Sequence, residues 1–419
     1  MTGPDHHLNG GRGGGDDLTR LFTGTGLDID AAFAALAARY DRRLYHYLGY
    51  PVATDTRFPK TRQWLDGRFF NNISTEDHWP PGFQHAMEAE TAVLDWISAH
   101  LGLSREQRWG HLTTGGTAGN RTGIRYARNR YPDAVLLHSS AAHYSVPGAA
   151  ADLRIHAVTV PAHPDGQMNL ERLDETVGRL AARRYPGDLP LIVVATLGTT
   201  VTEASDDLPG ITAVLDAHHI GKRHVHVDAA LAGVPQALDG LVDFTHAHTF
   251  STSAYKFLAV PAAAGLIIGR RDEDHRDGDL VAYTRTRNGT ETGVRSGLHA
   301  ALLLEAIEQH GDTGHRRRAH ASRALADHTI SRLRAIGVDA VRNHTAYFTV
   351  RLPSPPQQVL QTWTLGDNGD NTRRLVLVPG KTLPQVDEFI DHLNAALDHH
   401  RVVPPRRNLF ADYTAHTPP

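Results

Sequence analysis

The sequence predicts an α/β protein in two parts: a large domain built on a mainly parallel sheet, and a smaller C-terminal α+β domain. Three observations predict it. Strand-like runs at Val135–Ser139, Ile155–Val160, Leu191–Leu197, His224–Asp228, Phe244–Phe250 and Gly265–Gly269 have helix-like segments between several of them, at 119–130, 169–183 and 209–218. The run from Leu191, LIVVATLG, is almost wholly apolar, as a strand covered on both faces requires. Beyond residue 297 the order changes to helices followed by strand, strand, helix.

Taken in order, residues 1–17 form a Gly-rich leader with too little apolar surface to fold and no signal-peptide core. Residues 28–48 carry apolar side chains at helical spacing and stop at Gly49 and Pro51. Residues 52–83 are irregular, yet carry Phe58, Trp64, Phe69, Phe70 and Trp79. A second amphipathic helix covers 84–101, with Gly102 past its end. After the α/β stretch come helices at about 298–310, stopping at Gly311, and 315–335, stopping near Gly337. Strands Tyr347–Leu352 and Arg374–Val378 follow, then a helix Pro384–Leu397. The expected division is leader 1–17, N-terminal helix and irregular segment 18–85, large domain 86–297, small domain 298–400 and tail 401–419.

Composition narrows the function classes. With 40% hydrophobic and 21% charged residues and a formal net charge of −3, nothing points to nucleic acid or an acidic membrane surface. No stretch approaches the roughly 20 apolar residues that span a bilayer, and a cytoplasmic location is expected. The absence of cysteine excludes disulfides, thiolate metal sites and a thiol nucleophile. Histidine is abundant at 28 residues, with His224 and His226 on one strand face and His246 and His248 read the same way. No helical His pair stands with a nearby glutamate, so no metal is expected.

Four clusters fall at strand ends, where open parallel sheets place ligands. Thr113–Asn120, TTGGTAGN, opens a helix; its glycines and amides suit an anion, or simply cap the helix. His143, in AHYS, can stack on a flat ring, or be a loop histidine. Asp228, in HVDAA, ends an apolar strand and needs a cationic partner such as a protonated pyridine nitrogen, unless it caps the next turn. Lys256, in STSAYK, is one of four lysines in an arginine-rich chain. Desolvation would lower its pKa and suit Schiff-base formation; the alternative is a surface lysine. One cofactor with a phosphate, a flat ring, a basic ring nitrogen and an aldehyde uses all four clusters: pyridoxal 5′-phosphate.

These residues resemble the group II pyridoxal-dependent decarboxylases, and within them the short bacterial histidine decarboxylases and plant serine decarboxylase-like enzymes. The likeness runs from about Leu48 to Ile307. LGYP (48–51) and Asn71-Asn72 are similar to the family's N-terminal substrate-side segments, TGGTAGN (114–120) to SGGTEGN, AHYS (142–145) to THYS, and LGTT (197–200) with Asp206-Asp207 to IGTT…DD. HVDAALAG (226–233) is similar to HADAALSG, and Tyr283–Gly297 with LLLEAI to the Tyr-loop-GSRNG-LLWEAI region. Three positions depart: Tyr255 for the usual His, Ala118 for an acidic residue, and Val294-Arg295-Ser296-Gly297 for SRNG.

The resemblance implies fold type I, with 86–297 as the cofactor-binding domain, and α-decarboxylation of an L-amino acid. Histidine is the first choice. Serine or another small amino acid is the alternative, as is an altered outcome: oxidative deamination to an aldehyde, or transamination. A non-catalytic cofactor-binding protein is disfavoured by Lys256 and Asp228 occurring together. It further implies Lys256, His143 and Asp228 as catalytic residues. Gly115, Gly116, Thr117, Ser253 and Tyr255 would surround the phosphate, with Thr200 near the phenolic oxygen or substrate carboxylate and Ala230 against the ring. Tyr50, Asn72, His78, Tyr283 and Arg295 would contact substrate. A homodimer with composite active sites is also expected, since exposing the aromatics of 52–83 would be costly and interfaces are rich in them; the alternative is that they pack on their own domain.

Overall fold

The computed structural model describes residues 28–400 except 69, 80, 81, 83, 184–188, 273, 274, 276 and 277. The expected leader and tail, and Phe69, lie outside the described residues. Seven strands form the main sheet: β1 Arg108–Thr113, β2 Val135–Ser139, β3 Ala157–Val160, β4 Leu191–Thr196, β5 Arg223–Asp228, β6 Thr249–Ser253 and β7 Gly265–Arg270. Their order is β1-β7-β6-β5-β4-β2-β3. Pairings among β6, β5, β4, β2 and β3 are parallel, whereas β7 runs antiparallel to both β6 and β1. The sheet is therefore the mainly parallel one that the apolar runs predict, closed at one edge by a strand the reading above omits. That strand, RWGHLT, begins on an arginine, which hides its character: Arg108 is fully buried because Glu76 and Asp95 pair with it, Asp95 at 2.5 Å.

One expected strand needs correction. Phe244–His246 is a 3-10 turn whose N-terminal Asp243 accepts from Thr245 N at 3.0 Å, and the strand proper is Thr249–Ser253. His246 and His248 therefore do not share a strand face, and Ser251 and Ser253 stand on the strand rather than after it.

The sheet's two faces feed separate cores. Leu137, Val193, Ala195, Val225, Val227 and Phe250 join one large cluster; Leu136, Ile192 and Val194 join a second with Ile124 and Val146. A third cluster is built on the antiparallel pair Thr349–Pro353 and Thr372–Val376 with Phe389 and Ile390, and it takes in Leu48 and Ala53 from the N-terminal segment. The run Gly297–Ala335 is two helices joined at Gly311, whose φ of 57° and ψ of 177° break the helix where the sequence places a stop. Its first part packs in the large core through Ala300, Leu303 and Ile307, and its second in the small one through Leu325 and Leu333. The small core thus draws on the N-terminal segment as well as on the second of these helices.

Candidate active site

Strand alternation places the site. In β5, Val225 and Val227 point into the large core, which turns His224, His226 and Asp228 to the opposite face. In β6, Phe250 joins the core, while Thr249, Ser251 and Ser253 share the face of the histidines; all are buried. This polar face is covered by the helix Gly116–Arg130. The helix lies close because a Cβ at Gly119 would fall 2.7 Å from Ser251 Cβ and one at Gly123 2.3 Å from His226 Nδ1. Those glycines, three and seven residues after Gly116, share one helix face and explain why a glycine-rich segment forms a buried helix.

At the helix N-terminus, Gly115 adopts φ 130°, a conformation side chains rarely take, and Gly116 N–H reaches Ser253 Oγ at 3.2 Å. A Cβ at Gly116 would meet Ser253 Oγ at 2.8 Å and Ala230 Cβ at 3.0 Å. Gly116, Thr117, Ser253 and Tyr255 line one end of a cleft; Asp228 and Asn120 line it too, with His143, Thr200, Ala230 and Lys256. The structure so brings together every expected cofactor residue, with Gly115 at the helix cap and its ideal Cβ 3.9 Å from the Tyr255 ring.

Asp228 is 3% exposed, and its hydrogen-bond partners are neutral: Asn120 Nδ2 donates to Oδ2 at 2.8 Å and Ala230 N to Oδ1 at 3.2 Å. Desolvation lowers the Lys256 pKa, opposed by the Asp228 charge. Desolvation also lowers that of His143, where Asp228 opposes and Lys256 adds to the effect. The carbonyls of the lysine and of the residue after it are both held. Ala53 N donates to Lys256 O at 3.1 Å, and Arg318 donates to Phe257 O at 2.9 Å while forked onto Asp55 at 2.6 Å on both oxygens. Sequence reading missed Asn120, Arg318 and Thr196. The last lines the same cleft, with a buried hydroxyl that has no hydrogen-bond partner among the described residues.

The expected substrate residues divide. Asn72 is buried with both amide hydrogens engaged, one by Ala86 O at 3.3 Å and one by Glu90 Oε2 at 2.6 Å. Arg295 is buried too and binds Glu90 Oε1 at 2.9 Å and Ser74 O at 3.0 Å. Both are therefore occupied by a buried carboxylate the sequence reading did not single out. Tyr50, at 38% exposure, stacks on Tyr47 with ring centroids 5.1 Å apart. His78 is exposed, and Tyr283 is 90% exposed at the tip of its loop. Among the 52–83 aromatics, Phe58 and Phe70 pack on the large core, as the alternative reading had it, while Trp64 remains 43% exposed.

Comparison with known proteins gives this cleft a family. Residues 122–283 match the pyridoxal-dependent decarboxylase conserved domain. The chain is 31% identical to a histidine decarboxylase of Mesorhizobium japonicum over 356 residues, covering 83% of this chain and 93% of that protein. It is 28% identical to the histidine decarboxylase of Morganella morganii, covering 85% and 94%. Against serine decarboxylase 2 of rice (Oryza sativa subsp. japonica) it is 27% identical, covering 87% and 78%. In fold it is similar to L-methionine decarboxylase from Streptomyces sp.590, with a TM-score of 0.77 at 18% identity over 90% of this chain and 97% of that one. The cleft fits pyridoxal 5′-phosphate on its own chemistry. A glycine-lined helix N-terminus suits the phosphate. A buried carboxylate whose hydrogen-bond partners among the described residues are neutral suits a ring cation, and a desolvated lysine suits the aldehyde.

Proposed function

The chain belongs to the pyridoxal-dependent decarboxylase family, and we propose that L-histidine is the amino acid whose α-carboxylate it removes. The observation that carries the substrate is the match to histidine decarboxylases of several bacteria at 26–31% identity over 83–85% of this chain. Serine is the second reading, since two rice serine decarboxylases match at 27% and 29%.

Bound pyridoxal 5′-phosphate supplies a carbonyl that captures amines and a ring that accepts the electron pair released with CO₂. In our reading the chain's own residues do the following. Gly115, Gly116, Thr117 and Ser253 hold the phosphate at the helix N-terminus, beside Tyr255. Asp228 keeps a proton on the ring nitrogen, and Ala230 and His143 pack on the ring. Lys256 offers a desolvated amine whose lowered pKa raises the neutral, nucleophilic fraction. Thr200, in the cleft lining, would serve the cofactor's phenolic oxygen or the substrate carboxylate. Tyr50, His78 and Tyr283 form the rim; Asn72 and Arg295 hold the rim segments in place.

We assign the active form as a homodimer in which the exposed Tyr283 loop closes the partner's cleft. Support comes from that exposure and from an apolar groove lined by Pro59, Trp64, Ala301 and Leu304. A panel of L-amino acids with the purified holoenzyme tests the substrate: CO₂ and histamine from L-histidine are expected. No turnover of L-histidine refutes that choice, and ammonia with peroxide and no amine refutes simple decarboxylation. Light scattering tests the assembly; a stable active species near the 45.8 kDa chain mass refutes the composite site.

A further inference from the structure

The polar face under the Gly116–Arg130 helix is more than packing, because its hydrogen bonds run in one direction. Asn120, 1% exposed, donates from Nδ2 to Asp228 Oδ2 at 2.8 Å and to Ser145 Oγ at 3.0 Å. The reverse orientation of this amide would set an oxygen against a carboxylate, so the assignment is fixed by Asp228. Asn120 Oδ1 then faces His226 Nε2 at 3.1 Å and the Ser251 hydroxyl, and both must donate to it. His226 is neutral, since burial lowers its pKa to about 4, so it carries its proton on Nε2 and accepts at Nδ1. The donor there is Thr249 Oγ1 at 2.9 Å. Having given its hydrogen to His226, Thr249 accepts from His224 Nε2 at 2.9 Å. Four successive bonds thus point the same way, from His224 through Thr249, His226 and Asn120 to the Asp228 carboxylate.

The second hydrogen of the Asn120 amide acts on the other side of the cleft. Ser145 Oγ accepts it and donates its own hydrogen to His143 Nδ1 at 2.8 Å, alongside Ser145 N–H at 3.2 Å. Neutral His143 therefore carries its proton on Nε2.

We propose that Asn120 is a positioning residue: it orients Asp228 toward the cofactor's ring nitrogen and, through Ser145, keeps His143 in the Nε2–H tautomer. This rests on the assignment of Asp228 and His143 above. The glycines at 119 and 123 are what bring the helix near enough for one amide to reach both groups, and the chain from His224 keeps that amide from turning. Sequence alone shows Asn120 only as the end of a glycine loop.

The test is a double-mutant cycle read on cofactor affinity. Apo-protein is titrated with pyridoxal 5′-phosphate and the dissociation constant followed by tryptophan fluorescence, for the wild type, Asn120→Ala, Asp228→Asn and the double variant. Each single change is expected to weaken binding about tenfold, and Asn120→Ala to cost less than about twofold once Asp228 is already changed. Equal losses in both backgrounds, or no loss from Asn120→Ala where Asp228→Asn binds weakly, overturn the proposal. If Asp228→Asn itself binds as tightly as wild type, the assignment of Asp228 to the ring nitrogen fails, and the proposal with it. Should Asn120→Ala lack a cooperative melt, position 226 decides. His226→Gln keeps a donor toward Asn120 and should stay within about twofold of wild type, while His226→Leu should lose about fivefold; equal losses overturn it. ¹⁵N spectra of the histidine-labelled apo-protein, with the His143 signals assigned through His143→Asn, should show Nε2–H; an Nδ1–H tautomer overturns the His143 half.

Discussion

The two sides of the cleft are built differently. On the floor, Asp228, Asn120, Ser145 and Ser253 are buried and hydrogen-bonded within one chain. Of the residues we assign to the rim, Tyr50 and Tyr283 are 38% and 90% exposed, and His78 stands in solvent. The difference teaches that the residues we assign to the cofactor come together in one cleft, whereas those we assign to substrate selection stand largely in solvent. Each side is braced by a buried glutamate. Glu90, 1% exposed, ties the rim segments at Asn72 and Arg295 to the large domain. Glu203, fully buried beside the LGTT turn of the floor, accepts from Phe348 N at 2.9 Å and Thr349 N at 2.7 Å, at the start of the small domain's first strand. The first brace is paired with an arginine; the second rests on backbone amides.

Breaking the floor should have the largest effect. Lys256→Ala is expected to abolish turnover while leaving pyridoxal 5′-phosphate held by the phosphate contacts and Asp228, so that dialysis strips it. Borohydride followed by peptide mapping of the wild type should place the cofactor on Lys256. Label on Lys60, Lys222 or Lys381 would move the site elsewhere. Breaking the rim's brace comes next. Arg295→Leu leaves the Glu90 carboxylate buried without its cation, a change that costs about 3–5 kcal/mol where such pairs are broken. Urea unfolding should show that loss; a change under about 1 kcal/mol would mean that the rim segments are held by other contacts.

This contrast also explains what the sequence made legible. The alternation HVHVD is a strand pattern with one polar face, and it puts Asp228 in place without any long-range knowledge, whereas the strand carrying Ser253 was read too early, at Phe244–Phe250. The glycine loop and Lys256 were readable as residue types suited to phosphate and aldehyde. Arg108 was not readable as a strand residue, because what makes its burial tolerable comes from Glu76 and Asp95. Asn72 and Arg295 were read as substrate contacts, because the carboxylate that occupies them, Glu90, is 18 residues from one and 205 from the other. Polar residues declare themselves in sequence when their partner is a ligand of known shape; when the partner is a remote side chain, only the fold supplies it.

Titrating the floor's brace should give a smaller, pH-dependent effect. Burial pushes Glu203 up to about 7 from an ordinary 4.5, against the pull of its hydrogen bonds. The folded chain therefore holds this proton more tightly than the unfolded one. Its contribution to stability is complete below about pH 4.5 and is lost as pH rises through 7, a difference on the order of 3 kcal/mol at most. Glu203→Gln keeps an acceptor for the two amides and removes the titration. In urea unfolding it should match the wild type at pH 5 and exceed it by about 1–3 kcal/mol at pH 8. Equal stability at pH 8 would show that Glu203 is ionised without penalty.

The smallest effect should come from the rim's tip, and it tests whether the rim belongs to the neighbouring chain. Tyr283 is too exposed to stabilise its own subunit, so Tyr283→Ala should leave the melting temperature unchanged and lower kcat/KM about tenfold, the scale of one hydrogen bond to a charged group. Where the defect lies follows from mixing. Lys256→Ala and Tyr283→Ala subunits, unfolded together and reassembled, give hybrids that carry one of each. If Tyr283 serves the partner's cleft, each hybrid holds one cleft with both lesions and one with neither. The mixture then regains about a quarter of wild-type activity, well above the Tyr283→Ala protein alone. If Tyr283 serves its own cleft, the intact lysine always faces the altered loop, and no mixture exceeds the Tyr283→Ala level per intact lysine. Recovery would make the openness of the rim a property of the isolated subunit; its absence would mean that the loop folds back over its own floor when substrate binds.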